Sequence, residues 1–119
     1  MPAAKHTPSP GFVILYRWRL NPGAEHAFIA AWSQITELLR LRGSLGSRLH
    51  RGSDGLWYGY AQWPDAPSRD RAFAAGPVDA SASARMKAAI AESLPEVVLN
   101  VEADYIAATG YDRGPGAYP

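Results

Sequence analysis

The segment Gly43–Trp63, GSLGSRLHRGSDGLWYGYAQW, constrains the fold more than any other part of this chain. Asp54-Gly55 is a turn dipeptide that tolerates positive φ, and alternating, aromatic-rich stretches flank it, so the segment reads as one β-hairpin. Its second arm, Leu56–Trp63, holds two tryptophans and two tyrosines in eight residues. Such an arm either lies between packed layers or lines a pocket. Trp57, Gly59, Ala61 and Trp63 share one face; Tyr58, Tyr60 and Gln62 share the other. The first face alternates very large with very small side chains. A gap over Gly59 and Ala61, walled by Trp57 and Trp63, would fit a flat aromatic ligand. Phe28, Trp32 or Phe73, reaching down from helices, would fill the same gap in the absence of a pocket.

The rest of the chain supplies partners for this hairpin. Phe12–Leu20 alternates as a strand with apolar residues at the start of both faces, which predicts a central position. Asn21 as N-cap and Pro22 at the first helical position predict a helix over about 22–42, ended by Gly43 in the left-handed conformation. Its apolar stripe is Phe28, Ala31, Trp32, Ile35, Leu38 and Leu39. Strands follow over 44–51 and 56–63, then a short helix over about 68–75. A further helix over about 79–93 carries Met86, Ile90 and Leu94 at helical spacing and is stopped by Pro95, and a last strand spans 97–106. The order is β-α-β-β-α-β with a split second helix: an α+β, ferredoxin-like plait with one helical layer on a four-stranded antiparallel sheet. Residues 1–10 read as a disordered tail, 11–106 as the domain, and 107–119 as a tail or arm. The first and last strands are apolar on both faces. An uncovered sheet face of that kind predicts a homodimer joined through the sheets, with Tyr58 and Tyr60 near the interface.

Several chemistries are poorly served. The chain lacks cysteine, so thiolate metal sites and disulfides are excluded. His6, His26 and His50 share no ligand spacing, and no metal is expected. No Gly-x-Ser-x-Gly elbow occurs, which speaks against a serine nucleophile; no phosphate loop, dinucleotide fingerprint or obvious haem axial ligand occurs, so no flavin, haem or other cofactor is expected. Exposed strand tyrosines can stack bases, but a net charge of +1 gives phosphate little to bind, so nucleic acid is not the expected partner. No apolar run reaches the length of a membrane span and the first ten residues lack a signal-peptide core, which sets the default expectation of a soluble cytoplasmic protein.

The run Asp54-Gly55 … Tyr60-Ala61-Gln62-Trp63-Pro64, with His50 before it and Ser93-Leu94-Pro95 after it, resembles the antibiotic biosynthesis monooxygenase family. The resemblance extends from Gly11 to about Ile106. It implies a dimeric α/β barrel that oxidises an aromatic polyketide-like phenol or anthrone with O2 to a quinone, without flavin or metal. Quinone-forming members use an Asn and a Trp four residues apart on the third strand, a Tyr on the following helix and an Arg on the next. Trp63 matches the Trp. Arg85 is the nearest match to the Arg, and Lys87 takes that place with a one-turn shift. The Asn position is Gly59, and the Tyr position falls near Arg69, so two of the four are absent. Trp63 and Arg85 are accordingly the expected catalytic residues. Tyr16, Trp57, Gly59, Ala61 and Phe73 are the expected contacts to a small aromatic molecule. Two other activities stay open: a non-catalytic small-molecule-binding barrel, and a polyketide cyclase or isomerase on the same scaffold.

Overall fold

The structure, a computed structural model, describes residues 11–106. The expected tails, 1–10 and 107–119, lie outside the described residues. Strand β1 (Phe12–Leu20) leads to helix α1 (Glu25–Arg40), then to strands β2 (Gly46–Arg51) and β3 (Trp57–Trp63). Two short helices, α2 (Ala66–Ala74) and α3 (Ala80–Ala89), precede strand β4 (Ile90–Asn100). The four strands form one antiparallel sheet in the order β2-β3-β1-β4, and the helices lie on one face. This is the ferredoxin-like arrangement.

Register explains the core. Ile14 faces Ala61, Tyr16 faces Gly59 and Trp18 faces Trp57 across β1 and β3. Phe28 of α1, fully buried, meets Trp18 and Trp57 edge-on at centroid distances of 5.1 and 6.1 Å. Edge-to-face contacts of this kind suit the ring quadrupoles. Buried alanines, Ala31 on α1 and Ala82 and Ala89 on α3, let the two helices lie close together. Asp79 caps α3 by accepting from the Ala82 amide at 2.9 Å, and Asp65 caps α2 through the Ser68 amide at 2.8 Å. Among the described residues no helix is long and apolar enough to cross a membrane.

Two elements, α1 and β4, differ from their expected bounds in ways that matter to the fold. Helix α1 starts at Glu25 rather than Pro22, because Gly23 takes φ +82° and turns the chain first. Asn21 caps nothing; its side-chain amide donates to Ala88 O at 3.1 Å and its backbone N–H to Ala89 O at 2.9 Å, tying the end of β1 to the end of α3. The larger difference lies at β4. The strand begins at Ile90, where a helix was expected to run to 93, and it ends at Asn100, short of 106. Pro95 lies inside it. The proline is tolerated because, among the described residues, β4 is an edge strand paired with β1 alone, and the pairing slips between Leu15 and Arg17 opposite it. Arg17 holds the irregularity by donating from Nη2 to Pro95 O at 2.9 Å.

Candidate functional site

Parity on the sheet decides which side chains meet the helices. Tyr16 and Trp18 of β1 and Gly59, Ala61 and Trp63 of β3 all point to the helical side, as the alternation predicts. Above them lies a cleft of about 450 Å³, within the range of small-molecule sites. Trp32, Ile35 and Leu39 of α1, Phe73 of α2 and Met86 of α3 form its roof. Its polar fringe comes from Ser44 and Ser47 at the β2 side and from Ser83, Lys87, Glu92 and Ser93 at the α3–β4 side. A smaller cavity of about 330 Å³ beside it shares Ile35, Leu39, Phe73 and Ser83.

Of the residues singled out from sequence, Tyr16, Gly59, Ala61, Trp63 and Phe73 come together around this cleft. Two do not join them. Trp57 is buried in the core with Trp18, Phe28 and Ala89 instead of walling the gap. Arg85 points away. Residues 83, 86, 87 and 90 recur at helical spacing and face the cleft, and position 85 falls on another side of α3. There Arg85 donates from Nη2 to Gln34 Oε1 at 3.3 Å, and Gln34 in turn donates to Asp79 Oδ2 at 2.6 Å. Lys87 is the basic residue of α3 that reaches the cleft.

The space directly above Gly59 is also taken. A Cβ placed on Gly59 would meet the Trp18 ring at 2.8 and 3.0 Å, with Trp32 Nε1 at 3.7 Å. The glycine therefore lets an indole from the neighbouring strand lie flat on β3, and the open volume is displaced toward Ala61 and Trp63. Tyr16 stacks on Trp18 at 5.7 Å and 7°, which continues this aromatic floor.

Trp63 is 1 % exposed, and its indole N–H has no hydrogen-bond partner among the described residues. Its ring meets Phe73 edge-on at 6.1 Å. A buried donor without an acceptor is costly and rare, and functional sites are one place where it is found.

Two charged residues that sequence reasoning did not assign to the site stand beside Tyr16. Arg69 of α2 donates from Nη2 to Tyr16 Oη at 2.8 Å and lies 3.2 Å from both carboxylate oxygens of Glu96. Its guanidinium also covers the Phe73 ring at 4.7 Å. Burial raises the Tyr16 pKa; the Arg69 hydrogen bond and charge act against it, and Glu96 reinforces it. The phenol is therefore protonated at neutral pH. A signal was available for Arg69, since Arg69 and Phe73 are one turn apart and share a helix face. None was available for Glu96, because the region just before it read as helix.

No family model matches the chain, and no curated protein matches it. Solved structures do match. SnoaB, a cofactor-independent oxygenase from Streptomyces nogalater, is 17 % identical with a TM-score of 0.67, over 82 % of this chain and 98 % of that one. The monooxygenase from the gene ActVA-Orf6 of Streptomyces coelicolor, solved with Nanaomycin D, is 21 % identical with a TM-score of 0.67, over 88 % and 100 %. Rv0793 from Mycobacterium tuberculosis is 17 % identical with a TM-score of 0.65, over 82 % and 100 %. At these identities the likeness is one of architecture: the chain has the ferredoxin-like fold of the antibiotic biosynthesis monooxygenases.

Proposed function

We propose that this protein is a cofactor-independent monooxygenase that converts an aromatic, polyketide-like phenol or anthrone to a quinone with O2. The observation that carries the reading is the cleft between sheet and helices, floored by aromatic rings and containing the unpartnered Trp63 N–H. Two of the similar structures, SnoaB and the ActVA-Orf6 product, bear the names of a cofactor-independent oxygenase and a monooxygenase. The chemistry asks little of a protein. An anthrone loses a proton, its anion reduces O2, and the resulting hydroperoxide loses water. One oxygen atom ends in the quinone carbonyl and the other in water. The protein supplies a dry cavity, a stabilised anion and a hydrogen-bond donor. Trp63 is the donor against the ring, and Tyr16, Ala61 and Phe73 hold the ligand. Lys87 replaces Arg85 as the basic residue of α3 that meets it.

The test is anthrone oxidation followed by quinone absorbance, with and without O2. Protein-dependent quinone formation in air that stops under argon supports the reading. Saturable anthrone binding with no rate above the spontaneous one favours the non-catalytic alternative, which the outward position of Arg85 supports. Product formed without O2 favours the cyclase or isomerase.

Lys87 and Arg85 give opposite expectations. Lys87→Ala is expected to weaken binding of 1-hydroxy-2-naphthoate about two- to fivefold, the range of a solvent-exposed ion pair, and to leave a neutral naphthalene unaffected. Arg85→Ala is expected to change neither. Fluorescence titration measures both, and the reverse pattern would return the role to Arg85.

The working unit is proposed to be a homodimer in the cytoplasm. Val97, Val98, Leu99 and Val101 are exposed by 37, 49, 37 and 37 %. They lie on or just beyond an edge strand, and a second sheet would cover the residues on the open face. Light scattering at micromolar concentration is expected to give twice the chain mass; a monomer would contradict it.

A further inference from the structure

The bond between Arg69 and Tyr16 has a direction. A guanidinium only donates, so Tyr16 Oη is the acceptor at 2.8 Å. The phenol keeps its own hydrogen, and among the described residues that hydrogen has no acceptor. Tyr16 lines the cleft, so a ligand oxygen there can accept it. Arg69 cannot easily swing aside: Glu96 holds it at 3.2 Å and the Phe73 face packs against it at 4.7 Å. Its Nε, on the same guanidinium as the Nη2 that supports the phenol, is buried without a partner among the described residues.

We infer that Tyr16 Oη–H receives an oxygen of the bound ligand, that Arg69 is the positioning residue for it, and that the site thereby selects aromatic ligands bearing an ionisable hydroxyl or enol and favours their anions. The inference rests on the cleft being the ligand site, as proposed above, and adds the group that reads the ligand. The charged residues that line the cleft are Lys87 of α3 and Glu92 of β4, and Arg69 of α2 and Glu96 of β4 stand behind Tyr16; α1 brings none to the lining. Glu92 is paired with Arg19 at 2.9 Å and Glu96 with Arg69, which leaves Lys87 and the Arg69–Tyr16 unit to act on a ligand anion. Tyr16, an expected contact from sequence, would reach the ligand from β1, whereas the family resemblance implies a tyrosine on the helix after the third strand.

Alizarin, a planar dihydroxyanthraquinone whose neutral and ionised forms differ in colour, is a direct probe. Its absorbance is titrated against pH, free and with saturating protein. The parent is expected to lower the alizarin pKa, and Tyr16→Phe to return about one unit of that lowering, the scale of a hydrogen bond to a charged group. Arg69→Met is expected to return a similar amount, and Arg69→Lys less. The double variant should lose no more than Tyr16→Phe alone, because the two act as one unit. A merely structural Arg69 would lower the Tm and leave the titration of the bound dye unmoved. Tyr16→Phe keeps the ring stacked on Trp18; should it fail to fold, the Arg69→Met titration decides. An unchanged shift in these variants overturns the inference and leaves the cleft reading intact, as does a parent that binds alizarin without shifting it. A parent that does not bind alizarin overturns both.

Discussion

Gly59→Ala is expected to destabilise the fold by about 1–3 kcal/mol, the usual cost of overpacking a filled core. The added methyl would come within 2.8 Å of the Trp18 ring. Trp18 cannot yield readily, since it is 6 % exposed and held between Tyr16 and Phe28. In a domain of this size the loss corresponds to a fall in Tm of roughly 5–20 °C. The effect belongs to one pair of residues, so a second change should rescue it. Trp18→Phe removes the distal ring atoms that the methyl meets, and the double variant is expected to be more stable than the sum of the singles predicts. Urea unfolding of all four proteins checks this. Additive losses would mean that the glycine serves the backbone rather than the indole.

Phe28→Ala is expected to cost more, about 3–5 kcal/mol. Phe28 is the one large α1 side chain that is fully buried, and it touches both Trp18 and Trp57. Removing it leaves a void under α1 that two indoles on a sheet cannot close by small shifts. Near-ultraviolet circular dichroism should weaken together with stability, because the fixed indole environment is lost. A loss below about 1.5 kcal/mol, the ceiling for well-tolerated apolar swaps, would show that α1 is anchored elsewhere.

These two residues also mark what the sequence discloses. The Phe28–Ala31–Trp32–Ile35 stripe and the alternation on β1 and β3 are periodic signals, and they placed the core and the cleft on the correct side of the sheet. The Asp54-Gly55 turn was legible for the same local reason: Gly55 takes φ +87° as such a turn requires. Pairing across strands was not legible. Whether Trp57 or Trp18 lies over Gly59 depends on the β1–β3 register, which no local pattern states. The β4 error has a different origin. Met86, Ile90 and Leu94 fit a helix, and Pro95 looked like its end. An edge strand with a pairing slip accommodates the same residues, and only the sheet order distinguishes the two. Arg85 and Lys87 show how a two-residue choice decides a site: two positions on α3 differ by more than half a turn, so one reaches the cleft and the other the α1 surface.

Whether a planar aromatic molecule occupies the space between sheet and helices is measured most directly by amide chemical-shift mapping with alizarin. A second cavity of about 460 Å³ lies on the opposite face, lined by Val13, Tyr60, Gln62 and residues 99–106, and serves as the internal control. Shifts are expected at Tyr16, Ala61, Phe73, Lys87 and Ser93, saturating together, with Tyr60, Gln62 and Leu99 unmoved. Shifts confined to Tyr60, Gln62 and Leu99, or none at saturating ligand, would contradict the account.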